Sequence, residues 1–189
     1  MNDPLRDDER FKQGKACPLP VTTWYAQDGI KRLRKIRADQ MESLSKTNSS
    51  STKPSVSSAG VASAKQLQSA KASGGAILWR GMRNMKLAED FETQGGTELA
   101  FMSTTTIMEV AVRYSLSKAS LLFKIEAETF MQTGADLQWL SAFPGEAEVL
   151  YPPLTYLKPS LPLKKQTIKI VRDSEEMTFT VIELKPSMS

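Results

Sequence analysis

A long polar stretch in the first half of the chain limits where a core can form. Residues 43–75 read SLSKTNSSSTKPSVSSAGVASAKQLQSAKASGG and are rich in Ser, Ala, Lys and Gly, with few large apolar side chains. Such a segment buries too little apolar surface to offset the conformational entropy that is lost on ordering. We therefore expect a disordered linker over residues 45–75, with a short helix around 64–72, and a folded domain over residues 76–189.

The segment before the linker predicts a basic helical region over residues 1–44. Its apolar residues fall close to helical spacing, after a Thr that is a candidate N-cap: Thr22 or Thr23, then Ile30, Leu33, Ile36 and Leu44. Residues 1–72 carry 13 Lys and Arg against 7 Asp and Glu, whereas residues 73–189 carry 12 against 14. The positive charge is centred on IKRLRKIR, residues 30–37, which is either a solvated helical face or a surface for phosphates or an acidic partner.

Two residue counts exclude whole classes of chemistry. The chain has no His, which rules out Ser-His-Asp and Cys-His catalysis and removes the usual ligand of zinc and copper sites. The single Cys cannot form a disulfide within the chain, which suits a reducing compartment. The N-terminal sequence MNDPLRDDERFK is charged, and no apolar run approaches the ~20 residues of a membrane span. We therefore expect a cytoplasmic protein with no metal ion and no membrane span.

From residue 76 onward, short apolar runs alternate with helical patterns. The predicted strands are AILWRGM, ELAFMST, SLLFKIEA, DLQWLSAF, EAEVLYPP and a closing hairpin of QTIKIVRD and MTFTVIEL, and the predicted helices are KLAEDFETQGG and TIMEVAVRYSLS. Strands and helices come first and mostly strands follow, an order that favours an α+β fold over a doubly wound parallel sheet. We expect five aromatic side chains of this region in the core: Trp79, Phe101, Phe123, Trp139 and Tyr151.

Three features of this region are unusual for a plain core. Arg80 interrupts the apolar strand LWRGM, Ser103 opens the sequence STTT directly after an apolar strand, and two acids stand two residues apart in FPGEAEVLYPP. If that last segment is extended, the side chains of Glu146 and Glu148 share one face, roughly 7 Å apart along the strand. Each feature alone has an ordinary explanation, namely an arginine on a wet face, a helix cap and a solvated strand edge.

In this order and context, the three features resemble the mono-ADP-ribosyltransferases of the Arg-Ser-Glu class, a family that includes arginine-specific transferases and several bacterial toxins. The matching elements are an arginine on the first core strand, a Ser-Thr-Ser element with Thr in place of the second Ser, and a Glu-x-Glu element: Arg80, Ser103, Thr104, Thr105, Glu146 and Glu148. The resemblance implies two packed, mainly antiparallel sheets that form an NAD-binding cleft with flanking helices.

The resemblance also implies a role for each residue. The family breaks the bond between nicotinamide and ribose in NAD through a transition state that resembles an oxocarbenium ion. Glu148 would accept a hydrogen bond from the ribose 2′-hydroxyl and stabilise the positive charge, and Ser103 would fix the Glu148 carboxylate. Arg80 would bind a phosphate or ribose oxygen, and Thr104 and Thr105 would complete the NAD-binding element. The resemblance further implies that Glu146 orients an acceptor arginine and helps to take its proton.

The leading hypothesis is therefore transfer of ADP-ribose from NAD, as co-substrate, to an exposed arginine of an acceptor protein. We expect a monomer with no nucleic-acid partner. Two alternatives stay open: an NAD glycohydrolase in which water takes the ribose, and an inactive transferase fold that binds a partner through IKRLRKIR. Two aromatic residues also have open roles, because Tyr114 either packs or stacks on nicotinamide, and Phe143 is a candidate for acceptor recognition.

Overall fold

The computed structural model describes residues 5–16, 19–48, 75–88, 90–172 and 175–188. Within these ranges the helices are α1 (Asp8–Lys12), α2 (Pro20–Asn48), α3 (Phe91–Gln94) and α4 (Met108–Ser115), with 3-10 turns at Phe130–Gln132 and Pro144–Glu146. The strands are β1 (Ala76–Arg83), β2 (Gly96–Glu98), β3 (Met102–Thr105), β4 (Ala119–Ala127), β5 (Ala135–Asp136), β6 (Glu148–Tyr151), β7 (Thr155–Pro159), β8 (Lys165–Arg172) and β9 (Glu175–Ser187). Apart from its two ends, the predicted linker over 45–75 lies outside the described residues, and so does the short helix around 64–72.

The strands follow one hydrogen-bonded path in the order β2-β7-β9-β4-β1-β3-β6-β5, with β8 paired to β9. All of these pairings are antiparallel except the one between β4 and β9, which is parallel. Strands β1 and β3 are joined at only one register pair, Trp79 with Thr105. The predicted α+β class is therefore confirmed, and the expected two sheets are two halves of one path that meet at this narrow junction.

The core lies on the central strands of the sheet. Leu78 on β1, Ile125 on β4 and Ile182 on β9 are fully buried. Each lies on the face of its strand that points into the core, because successive side chains alternate between the two faces. Phe101, Phe123 and Tyr151 are buried as predicted.

Trp139 was wrongly predicted as a core residue, since its side chain is 70% exposed. The chain leaves the sheet after Asp136 and forms a turn at residues 138–140, so the extended conformation predicted for DLQWLSAF is also wrong beyond its first residue.

Other elements differ from the predictions near the ends of strands. The helix predicted for KLAEDFETQGG is only the four-residue α3, and it ends at Gly95, whose φ of 74° lies in the left-handed region. The strand predicted for ELAFMST is divided into β2 and β3, because the backbone N–H of Ala100 donates to the Glu98 carboxylate at 3.2 Å and the chain turns there. Strand β7 was not predicted, whereas the closing hairpin of β8 and β9 is confirmed.

The basic helix α2 begins earlier than predicted, at Pro20, and packs its apolar side on the sheet domain. Ile30 is buried against Phe101 and Ala135, so the predicted helix finds its partner next to β5. Arg34 donates from Nε to the carbonyl of Thr133 at 2.9 Å and from Nη2 to the carbonyl of Met131. Because Arg37 also pairs with Asp136 at 3.5 Å, two basic residues of IKRLRKIR serve to dock the helix. Ile36, predicted on the apolar side, is exposed.

Helix α4 approaches β1 closely at Gly81. A Cβ atom built on Gly81 would lie 1.9 Å from the carbonyl oxygen of Ala111, so any larger side chain would push α4 away from the sheet. Gly29 in α2 offers a contrast, because a Cβ there has no heavy atom within 4 Å.

Gly81→Ala is expected to lower the free energy of unfolding by about 2 kcal/mol or more, because the added methyl group overpacks the contact between α4 and β1. Gly29→Ala should raise the free energy of unfolding by up to about 1 kcal/mol, since alanine is favoured inside a helix. Urea unfolding followed by circular dichroism measures both variants. Equal effects of the two substitutions would contradict the tight approach of α4.

Candidate active site

Three adjacent strands bring the predicted site residues together. Strand β3 pairs with β1 on one side and with β6 on the other, and the register places Thr105 opposite Glu148 and Ser103 opposite Leu150. Arg80 of β1, Ser103 of β3 and Glu148 of β6 therefore lie on neighbouring strands, where their side chains line a single cavity.

Ser103 and Glu148 form a direct hydrogen bond. The Ser103 Oγ donates to Glu148 Oε1 at 2.7 Å, which is the geometry of a charge-assisted bond to a carboxylate. No donor among the described residues contacts the other oxygen, Oε2. The hydroxyl therefore fixes one oxygen of the carboxylate and leaves the second available to a ligand.

The two other hydroxyls of the STTT element are bonded to the backbone. Thr104 is buried and its Oγ1 donates to the carbonyl of Val149 at 2.6 Å, while Thr105 Oγ1 donates to the carbonyl of Glu146 at 2.6 Å. Thr105 Oγ1 also accepts the backbone N–H of Ile107 at 3.0 Å. These contacts hold β6, the turn before it and the start of α4 in place, so Thr104 and Thr105 contribute to the cavity mainly by fixing its wall.

Glu146 reaches the cavity from a 3-10 turn. The sequence-based expectation of an extended EAE segment is wrong here, because residues 144–146 form the turn and Ala147 adopts a left-handed conformation with φ of 45°. The two carboxylates therefore do not share a strand face by simple alternation. Both nevertheless line the same cavity, because the reversal at Ala147 turns Glu146 toward it.

Arg80 is nearly buried, with its side chain 15% exposed. Its Nη1 donates to the backbone carbonyl of Ser103 at 3.1 Å, and its Nη2 pairs with Glu98 Oε2 at 3.2 Å. Arg6 binds the other oxygen of Glu98 at 3.0 Å. Burial lowers the pKa of Arg80, the Glu98 carboxylate opposes this effect, and the nearby Arg6 adds to it.

The cavity has a volume of about 400 Å³ and is open to solvent on one side. This volume lies toward the lower end of the ~300–1,000 Å³ that is usual for small-molecule sites. A second cavity of about 570 Å³ shares Arg80 with the first and carries further cations, Arg6, Arg83 and Lys86, on its wall. The two cavities thus adjoin at Arg80, the first with Glu146 and Glu148 on its wall and the second with these cations among Glu98 and mostly apolar side chains.

Sequence reasoning left the role of Tyr114 open and missed Glu98. Tyr114 on α4 donates its hydroxyl to Glu146 Oε1 at 2.8 Å, and it lines the cavity together with Val110 and Ala111. The helical spacing of 110, 111 and 114 is the signal that could have placed Tyr114 there. Glu98, the partner of Arg80, carries no such signal, because β2 and β1 are not neighbours in the sheet.

Neither a metal centre nor a membrane-spanning helix is found in the part of the chain that the structure describes. No group of three or more His, Cys, Asp or Glu residues in that part could hold a metal ion. None of the helices described there is both long and apolar enough to cross a bilayer.

The family of the chain follows from its sequence. The family model described as ADP-ribosyltransferase exoenzyme matches residues 33–184, which include Arg80, Ser103, Glu146 and Glu148. The chain therefore belongs to the ADP-ribosyltransferase exoenzyme family. A comparison of the chain with curated proteins gives no match.

Solved structures similar to this chain include three bacterial proteins. For ADP-ribosyltransferase HopU1 of Pseudomonas syringae pv. Tomato DC3000, the identity is 20% and the TM-score 0.41, over 61% of this chain and 48% of that one. For the enzymatic component C2-I of the C2 toxin from Clostridium botulinum, the identity is 18% and the TM-score 0.44, over 60% of this chain and 32% of that one. For C3larvin toxin, an ADP-ribosyltransferase from Paenibacillus larvae, the identity is 14% and the TM-score 0.37, over 96% of this chain and 94% of that one. The chain thus spans about half of HopU1 and a third of C2-I, and these distant likenesses carry no argument about substrate.

The hydrogen bond from Tyr114 to Glu146 predicts a measurable titration. The carboxylate accepts from the neutral phenol and repels the phenolate, so it raises the pKa of Tyr114. The difference in ultraviolet absorbance between the unsubstituted protein and Tyr114→Phe should show a phenol that ionises above the ordinary tyrosine value. The same difference measured in a Glu146→Ala background should move back toward that value. An ordinary Tyr114 pKa in the unsubstituted protein would contradict the contact.

Proposed function

We propose that this chain transfers ADP-ribose from NAD to the guanidinium group of an arginine on an acceptor protein and releases nicotinamide. The observation that supports this proposal is the convergence of Arg80, the hydrogen-bonded pair of Ser103 and Glu148, and Glu146 on one cavity. In the same proposal the enzyme acts in the cytoplasm as a monomer, and it uses neither a metal ion nor a nucleic-acid partner.

Glu148 would act on the donor sugar. As the bond between ribose and nicotinamide lengthens, positive charge develops on the ribose, and a fixed carboxylate stabilises that charge most when it needs no reorganisation. The bond from Ser103 supplies this fixation at Oε1, and the second oxygen, Oε2, is the group that would accept the ribose 2′-hydroxyl. No covalent bond between Glu148 and the sugar is required.

Arg80 would hold the dinucleotide at the boundary between the two cavities. Its planar guanidinium suits phosphate and ribose oxygens, and its bonds to Ser103 and Glu98 use only part of its five N–H groups. The cations Arg6, Arg83 and Lys86 in the adjoining cavity would favour the negatively charged pyrophosphate. The nicotinamide riboside would then lie on the side of the acids.

Glu146 would serve the acceptor. A guanidinium is a poor nucleophile because it stays protonated at ordinary pH, so a neighbouring carboxylate must orient it and help take its proton as the new bond forms. Glu146 lines the cavity, and its side chain is 27% exposed, which leaves it accessible to an incoming side chain. Of the two acids, one would therefore face the sugar and the other the acceptor.

Two substitutions test this division of labour with labelled NAD and a small guanidine as acceptor. Glu148→Gln should lower nicotinamide release roughly a hundredfold or more, because the charge opposite the developing cation is lost. Glu146→Gln should lower transfer to the guanidine roughly a hundredfold and lower nicotinamide release much less.

The control variant is Glu109→Gln, an exposed acid of α4 that does not line the cavity. Its rates should match those of the unsubstituted protein. If the folded protein releases nicotinamide but never labels the guanidine, it is a glycohydrolase. If it does neither, the transferase proposal is refuted and the binding-module alternative gains support.

A further inference from the structure

The carboxylate of Glu146 already has two donors, and both come from the last turn of α4. Tyr114 donates its hydroxyl to Oε1 at 2.8 Å, and Arg113 places Nη2 at 3.4 Å from the same oxygen. The guanidinium carbon of Arg113 also lies 5.9 Å from the centre of the Tyr114 ring. A phenol and a guanidinium of the chain therefore contact the one acid that the proposed function assigns to an acceptor guanidinium.

We propose that Tyr114 is a positioning residue for the acceptor carboxylate Glu146, and that Arg113 is an internal cation which the acceptor guanidinium displaces. This inference rests on the proposed function, because it needs Glu146 to bind the acceptor. It adds to that function a residue that fixes the acceptor acid and a cation that pairs with the same acid in the unliganded enzyme.

The positioning role of Tyr114 is supported by a hydrogen bond of the same kind as that of Ser103. Each acid of the cavity receives a hydroxyl at Oε1, from Ser103 in one case and from Tyr114 in the other. No donor among the described residues contacts Oε2 of Glu146, so that oxygen can meet an acceptor. The Tyr114 side chain is 49% exposed, but a tyrosine has few rotatable bonds and Gly81 lets α4 lie close against β1, so its hydroxyl is carried on a packed helix.

The case for Arg113 as a displaceable cation is its weak attachment. Its side chain is 65% exposed, its contact with Glu146 is long at 3.4 Å, and it does not line the cavity. Exposed ion pairs of this kind stabilise a protein little and exchange readily with solvent. An arriving guanidinium that approached Glu146 from the cavity would be repelled by Arg113 until Arg113 turned into solvent. Arg113 would therefore compete with the acceptor without contacting NAD.

Tyr114→Phe tests the positioning role by comparing two rates in the same enzyme. Transfer to a small guanidine should fall roughly tenfold to a hundredfold relative to NAD hydrolysis, mainly in kcat, since a misplaced catalytic group costs rate rather than binding. The matched control is Tyr156→Phe, which removes a hydroxyl that donates to the carbonyl of Gln94 outside the cavity. That control should leave the ratio of transfer to hydrolysis at the unsubstituted value.

A double-mutant cycle separates positioning from a general structural effect. If Tyr114 acts through Glu146, Tyr114→Phe should have almost no further effect on transfer in a Glu146→Gln background. Additive losses would mean that Tyr114 acts elsewhere, and the positioning role would be refuted.

Arg113→Gln tests the displaceable cation. Removing the competing charge should lower KM for the guanidine roughly twofold to fivefold, with little change in kcat, as befits a weak exposed pair. The control is Arg32→Gln on α2, which breaks another exposed ion pair, with Asp28 at 2.7 Å. A rise in KM for Arg113→Gln would mean that Arg113 helps to bind the acceptor, and the displacement would be refuted.

The measurements also separate this inference from the function on which it rests. Nicotinamide release and guanidine labelling by the unsubstituted protein report on the proposed function alone. If both are present while Tyr114→Phe transfers at the unsubstituted ratio, only the further inference fails. If the unsubstituted protein does not label the guanidine, the proposed function fails and the inference is refuted with it.

Discussion

The hydrogen bond between Ser103 and Glu148 depends on the register of two short strands. Met102 and Thr104 of β3, like Val149 and Tyr151 of β6, have buried side chains, and Ser103 and Glu148, which alternate with them, line the cavity. A slip of one residue would expose Met102 or Tyr151 and bury the serine, because it moves every side chain to the other face. The bond from Thr104 to the carbonyl of Val149 fixes the same register. Core packing thus sets the geometry of the Glu148 carboxylate.

The left-handed conformation at Ala147 separates the environments of the two acids. On a continuous strand, both carboxylates would project from one face and would meet the same groups. The turn at residues 144–146 instead places Glu146 against α4, while Glu148 stays within β6 next to Ser103. A non-glycine residue with a φ of 45° is uncommon, and such strain persists where the surrounding structure holds it. Here Thr105 holds the carbonyl of Glu146 from the neighbouring strand.

The sequence predicted the strands with strong apolar patterns and the residues with family-like spacing. Arg80, Ser103, Glu146 and Glu148 could be assigned because their order along the chain matches a known arrangement, and the hairpin of β8 and β9 because its residues are rich in β-branched side chains. Trp139 was misplaced because hydrophobicity alone does not show where a chain leaves its sheet. The contacts of Tyr114 with Glu146 and of Glu98 with Arg80 could not be predicted in detail, since they depend on how α4 and β2 pack.

Glu98 explains why a buried arginine and two acids can occupy one site without neutralising each other. A guanidinium that is only 15% exposed requires a counter-ion, and Glu146 and Glu148 line the same cavity as Arg80. Glu98, which is not one of the two cavity acids, supplies that charge through Oε2. Arg6 and the backbone N–H of Ala100 donate to its other oxygen, Oε1. Arg80 therefore pairs with neither Glu146 nor Glu148. In the proposed function, the separation of Arg80 from these acids would let Arg80 bind a phosphate while the acids face a cationic sugar.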